Sequence, residues 1–197
     1  MTTEEKIFDA ARIVFQKKGF AGARMQEIAD EAGINKAMLH YCFKNKQLLF
    51  EAVFMKAFSQ LAPQVNLIFR SNKSIFDKIR DFTYSYISFV NEHPFLPQFV
   101  VQEMNNNPEF VMQFLNHENR PNPNLMIAQI EAEIAAGIIK PIAPKQLLLD
   151  IFSLTVFPFA GQMMVKGMLQ ISDNEFKQMM EERKTSIAEH IINSIKR

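Results

Sequence analysis

Apolar residues recur every three to four positions along almost the whole chain, and no stretch alternates over the length of a strand. That period predicts helices packed against one another. The first reads as Thr3–Lys18, with Ile7, Ala11, Val14 and Phe15 as its buried stripe. Thr2 or Thr3 can cap it, Glu4 and Glu5 suit its positive end, Lys17 and Lys18 its negative end, and Gly19 stops it. Two short helices follow at Met25–Ala32 and Lys36–Phe43. A fourth starts near Lys46 and is expected to stop before Pro63, where a proline removes a backbone donor.

The later helices are longer. Ser74 can cap a helix reaching Glu92 that is apolar around much of its girth, which predicts a place inside a bundle. Pro94 and Pro97 punctuate the next turn, a helix then reaches about Asn105, and Pro108 opens a short one. A further helix covers Asn124–Gly137. Two long segments close the chain, Pro144–Leu169 and Asp173–Lys196, the latter capped by Asp173 and striped with Phe176, Met180, Ile187, Ile191 and Ile195. Ile151 to Val165 is uncharged and apolar, but a membrane span needs roughly 20 such residues, and Pro158 and Gly161 interrupt it. A buried helix of a bundle is the expectation.

With 197 residues, 48% hydrophobic and 22% charged, the chain can bury a sizeable core. The formal net charge of +1 does not mark a strongly basic domain. Residues 1–50 hold eight Lys or Arg against six Asp or Glu, the remainder fourteen against fifteen. Any nucleic-acid site must therefore rest on a few well-placed cations. Cys42 is the single cysteine, which fits a reducing cytoplasm, and the amphipathic start is not a secretory signal. The sequence contains no phosphate-cradling glycine loop, HExxH, GxSxG or Cys–His metal spacing, so an enzyme is not expected, nor a metal or other cofactor. His93, Glu103 and His117 could meet around a metal only if separate segments converged.

The informative stretch is EIADEAGINKAMLHYCFKNKQLL, Glu27 to Leu49. Gly33 ends one short helix in a left-handed residue and Asn35 caps the next two positions later. So tight a turn crosses the helices steeply, as in a helix-turn-helix whose second helix can enter a major groove. Ile28, Ala29, Ile34, Leu39 and Phe43 are spaced to pack inward. Lys36, Ala37, His40 and Tyr41 remain on the outer side, with donors and aromatic surface suited to phosphates, base edges and thymine methyls. Lys46, at the start of the fourth helix, is expected to meet a phosphate. A surface helix can carry Lys and Tyr for solubility alone, and Tyr41 could instead lean on the fourth helix.

The segment Gly19 to Val53 resembles the N-terminal DNA-binding segment of the TetR/AcrR family of bacterial regulators. The resemblance rests on Gly19-Phe20, Ile28-Ala29, Ala32-Gly33-Ile34, Asn35, Lys36-Ala37, Leu39, His40-Tyr41, Phe43 and Lys46. Arg24 stands where Ser or Thr is usual, Met38 where Thr is common, Cys42 where His or Tyr is common, and His40 where Tyr is frequent. The DNA-contacting set so identified is Arg24, Gln26, Asn35, Lys36, Ala37, Met38, His40, Tyr41 and Lys46. The resemblance implies an all-α chain. Residues 1–48 would form a three-helix DNA-binding domain, and residues 49–197 a larger helical bundle for effector binding and dimerisation. It further implies a homodimeric repressor, released from a palindromic operator by a small molecule, with the last two long helices at the dimer interface.

The Phe- and Met-rich second part supplies candidates for an apolar effector cavity: Phe82, Tyr86, Phe89, Phe99, Met104, Phe110, Phe114, Phe152, Phe157 and Met163, with Gln162 to orient a ligand. Gln98, Glu103 and His117 are further polar candidates. Each apolar residue also suits a plain bundle core. The competing readings are a DNA-binding protein without a small-molecule effector, whether architectural or controlled by a protein partner, and redox control through Cys42.

Overall fold

The computed structural model describes residues 2–106, 108–116 and 120–197, giving for residues 102, 106, 111 and 113–115 the backbone course alone. Among the described residues the fold is all helix: α1 (Thr3–Gly22), α2 (Met25–Ala32), α3 (Lys36–Cys42), α4 (Lys46–Arg70), α5 (Ile75–Glu92), α6 (Leu96–Asn106), α7 (Pro108–Leu115), α8 (Pro123–Ala135), α9 (Pro144–Ala160), α10 (Gln162–Leu169) and α11 (Asp173–Ile195).

Local signals set most of these boundaries. At the start of α1 the Glu5 N–H donates to Thr2 Oγ1 while Glu5 accepts from the Thr2 N–H, a reciprocal cap. Gly19 breaks the helical path within α1 at φ 65°. Gly33 sits at φ 66°, and the N–H groups of Gly33 and Ile34 return to the carbonyls of Asp30 and Ala29. This left-handed closure satisfies the end of α2 and turns the chain at once into α3, which Asn35 caps by accepting from the Met38 N–H. Arg24 precedes α2 without a side-chain cap, since a guanidinium cannot accept; Glu27 accepts from its N–H instead.

Several boundaries differ from expectation, among them the end of α1, which resumes after Gly19 and reaches Gly22. Pro63 does not stop α4, which runs on to Arg70. Pro63 is exposed, so the carbonyl it leaves without a helical donor faces water, while buried Ala62, Val65 and Phe69 hold both sides to the core. The segment from Pro144 is two helices bent by 78° at Gly161, because Pro158 is accommodated inside α9 and the chain turns three residues later. The cap of α11 is Ser172, one residue earlier than expected, in a reciprocal box with Glu175. No single helix among the described residues is long and apolar enough to cross a membrane.

Two cores result. The first joins α1, α2, α3 and the first half of α4 with Phe95, Leu96, Phe99 and Phe110. The second packs α11 on α5, with α4, α8 and α9 around them. The expected boundary at residue 48 falls in the first turn of α4, where the helix continues unbroken. α4 serves both cores along its length, and Phe89 of α5 packs against both.

Candidate nucleic-acid interface and an apolar cavity

α3 has one fully buried residue, Leu39, which anchors it to the first core. Lys36, Ala37, Met38, His40, Tyr41 and Cys42 are all exposed, Tyr41 at 87%. A seven-residue helix with one inward anchor presents the rest of its surface outward. Lys36 makes no hydrogen bond or ion pair among the described residues. Asn35 uses its carbonyl oxygen in the cap, leaving its amide free to donate. His40 Nδ1 lies 3.2 Å from the Lys44 carbonyl. A carbonyl can only accept, so Nδ1 is the donor in this contact, and in the neutral ring Nε2 is then the acceptor. Arg24 and Gln26 are exposed at the start of α2, with the Gln26 amide donating to Asp30 at 2.8 Å.

Lys46 has a structural role that the sequence reading did not include. Its ammonium donates to the carbonyls of Phe20 at 2.7 Å, Ala23 at 3.0 Å and Ala21 at 3.4 Å, and lies 4.6 Å from the centre of the Phe20 ring. These carbonyls close the end of α1, where helix geometry leaves acceptors unpaired and a cation is favoured. Lys46 therefore ties α4 to α1 in this structure. The signal was the run GFAG, whose carbonyls needed a donor. Nearby, Lys18 pairs with Glu27 at 2.7 Å, and that hydrogen bond is the chief cause of the lowered Glu27 pKa.

A cavity of about 470 Å³ lies between α4, α5, α6 and α9, with Arg120, Pro121 and Pro123 completing its wall. Among the expected lining residues, Phe82, Tyr86, Phe89, Met104 and Phe152 face it. Phe99 and Phe110 belong to the first core instead; the Phe99 ring centre is 3.9 Å from that of Phe50. Phe157 is half-exposed, Met163 is 72% exposed, and Gln162 does not reach the cavity. The side chain of Phe114, and His117 as a whole, lie outside the described residues. Gln98 is exposed, and Glu103 accepts from the Gln47 amide at 2.9 Å. The lining residues missed were chiefly Phe54, Phe58, Leu61, Val65 and Phe69 of α4 and Leu96, Val100 and Val101 of α6. The α4 set repeats at helical spacing straight through Pro63, so ending that helix early concealed it.

Among the described lining residues the polar side chains are Tyr86 and Arg120, of which Tyr86 lies on a core helix, α5. Its hydroxyl makes no hydrogen bond among the described residues. Burial raises its pKa far above the usual phenol range. Among the described residues no group of three or more His, Cys, Asp or Glu could hold a metal ion.

A smaller cavity of about 100 Å³ adjoins the junction of the two cores. It is lined by Phe8, Asp9 and Arg12 of α1, Lys56 and Gln60 of α4, and His93. The His93 ring lies 4.6 Å from that of Phe89, and its Nδ1 is buried with no partner. Burial first, then Arg12, lowers the His93 pKa below its ordinary 6.5, against an opposing effect of Glu92. A lowered folded-state pKa means that the unfolded chain binds the proton first. His93 thus favours the folded state fully above pH 6.5, and that stability drains away as pH falls through the lower folded value. His93→Gln is expected to flatten the decline of the urea midpoint between about pH 7.5 and 5.5; equal declines in both proteins would refute the assignment.

Residues 7–53 match the family model described as bacterial regulatory proteins, tetR family. The chain is 31% identical over 108 residues to "Probable HTH-type transcriptional regulator YttP" of Bacillus subtilis, a match covering 53% of this chain and 51% of that protein. The chain thus spans about half the length of that relative. It is 27% identical over 153 residues to the HTH-type transcriptional regulator RutR of Escherichia coli, covering 77% of this chain and 71% of that one. In three dimensions it superposes on a transcriptional regulator of the TetR/AcrR family from Thermobifida fusca with a TM-score of 0.68 at 15% identity, covering 94% and 96% of the two chains. At that identity the superposition speaks for the fold.

Proposed function

We propose that this chain, whose residues 7–53 match the tetR family of bacterial regulatory proteins, is a cytoplasmic, homodimeric repressor of the TetR/AcrR family. A small apolar molecule in the 470 Å³ cavity would release it from a palindromic operator. The observation that carries this reading is the outer side of α3, where Lys36, Ala37, Met38, His40 and Tyr41 stand exposed around the single buried anchor Leu39. Lys36 and the Tyr41 hydroxyl serve phosphates, Ala37 allows close approach, and the Nε2 lone pair of His40 accepts from an exocyclic amine.

Dimerisation is supported by the apolar surface left uncovered on α9 and α10, where Leu149, Phe157, Met164 and Met168 are exposed. A second copy on that surface forms a two-fold pair and sets the two reading helices roughly 34–36 Å apart. The cavity favours small-molecule control over the architectural or protein-partner alternatives, since α4 lines it and also carries the first core. The effector acts by its differential affinity for two settings of α4 relative to α1–α3. Cys42 is exposed on α3, but its exposure alone does not favour redox control.

Selection of bound fragments from random duplex DNA tests the reading. Recovery of a near-palindrome with half-sites one helical turn apart is expected. Absence of retained duplex at low ionic strength would remove it.

A further inference from the structure

Resting on the effector reading above, we propose that the cavity selects an uncharged molecule, apolar over most of its length, that carries one hydrogen-bond-accepting oxygen for the Tyr86 hydroxyl. The walls supply Phe, Val, Leu, Ala, Pro and Met side chains, and among the described lining residues only Tyr86 and Arg120 are polar. The Tyr86 ring is fixed by stacking with Phe82 at 5.8 Å, and Phe82 is held in turn by Phe152 at 5.3 Å and Phe69 at 6.2 Å. The ring is therefore held in place on the wall, and its hydroxyl is a donor that makes no hydrogen bond among the described residues. A lone hydroxyl on an otherwise apolar wall discriminates: a ligand oxygen placed against it makes a hydrogen bond that a hydrocarbon in the same position cannot.

Charge argues in the same direction. An ion entering these walls would lose its hydration, and among the described lining residues only Arg120 carries a charge to offset that loss. Arg120 is exposed to solvent, so it meets an anionic head only at the open edge of the cavity. The phenol stays protonated across the physiological range, because burial raises its pKa. It donates to an oxygen and does not neutralise a cation.

Calorimetric titration of the full chain with three matched probes separates the possibilities: butylbenzene, butyrophenone and 4-phenylbutanoate. The ketone is expected to bind roughly three- to tenfold more tightly than the hydrocarbon, the range of one ordinary hydrogen bond. Tyr86→Phe should erase that preference while leaving hydrocarbon affinity unchanged, which also shows that the variant is folded. Arg120→Ala should leave the order intact. The proposal is overturned if Tyr86→Phe keeps the ketone preference, or if the carboxylate binds best and loses its advantage in Arg120→Ala. In both cases the effector reading survives. Failure of all three probes to bind would take down the effector reading, and this proposal with it.

Discussion

Lys36→Ala combined with Tyr41→Ala is expected to weaken operator retention on the order of a hundredfold or more while leaving the urea midpoint within error of the parent. Both side chains are exposed, and neither contributes to a core. On the proposed reading both copies of α3 lose phosphate and sugar contacts, so the slope of affinity against salt should fall by about one for each lysine contact removed. Lys46→Ala supplies the contrast. It removes hydrogen bonds from an ammonium to three carbonyls at the end of α1, and charged hydrogen bonds of this kind are worth about 1.5–3 kcal/mol. That variant should lose stability and keep its salt slope. The two assignments are exchanged if Lys46→Ala flattens the salt dependence and Lys36→Ala does not.

Phe50→Ala should have the largest effect on stability. Phe50 is fully buried, and its ring lies 4.5 Å from Phe15, 5.2 Å from Phe20, 5.7 Å from Phe95 and 3.9 Å from Phe99. It is the point at which α1, α4 and α6 meet. Truncating such a residue costs about 3–5 kcal/mol through lost transfer energy and the cavity left behind, a large part of the 5–15 kcal/mol typical of a domain. Leu67→Ala, on the outer side of the same helix at 72% exposure, should change stability by less than about 0.5 kcal/mol. Urea unfolding followed by circular dichroism distinguishes them. Comparable losses in the two variants would mean that the aromatic cluster does not hold the reading head to the rest of the protein.

The contacts of Lys46 show why a motif can be recognised while the partners of one of its residues are missed. Its position after Phe43 and before a helical stripe was legible, and its destination was not. A cation at a helix start can face solvent or turn back to carbonyls from the preceding helix. Only the path of the chain after Gly19 brings those carbonyls within 3.4 Å. The same holds for the cavity. Met104 and Phe99 lie five residues apart on α6, both apolar, yet one borders the cavity and the other packs on Phe50.

From its residues alone this chain determined what depends on near neighbours. The helical period, the turn at Gly33, the caps at Asn35 and Ser74, and the stripe of α11 are encoded by side chains within a turn or two of where they act. Tertiary structure decided the continuation of α4 past Pro63, the bend at Gly161, the anchoring of Lys46 and the choice of which aromatic rings surround empty space. A periodic pattern states that a side chain is buried, but not against what. The energies of burial and hydrogen bonding act between segments far apart in the chain, and they have values only once those segments are brought together.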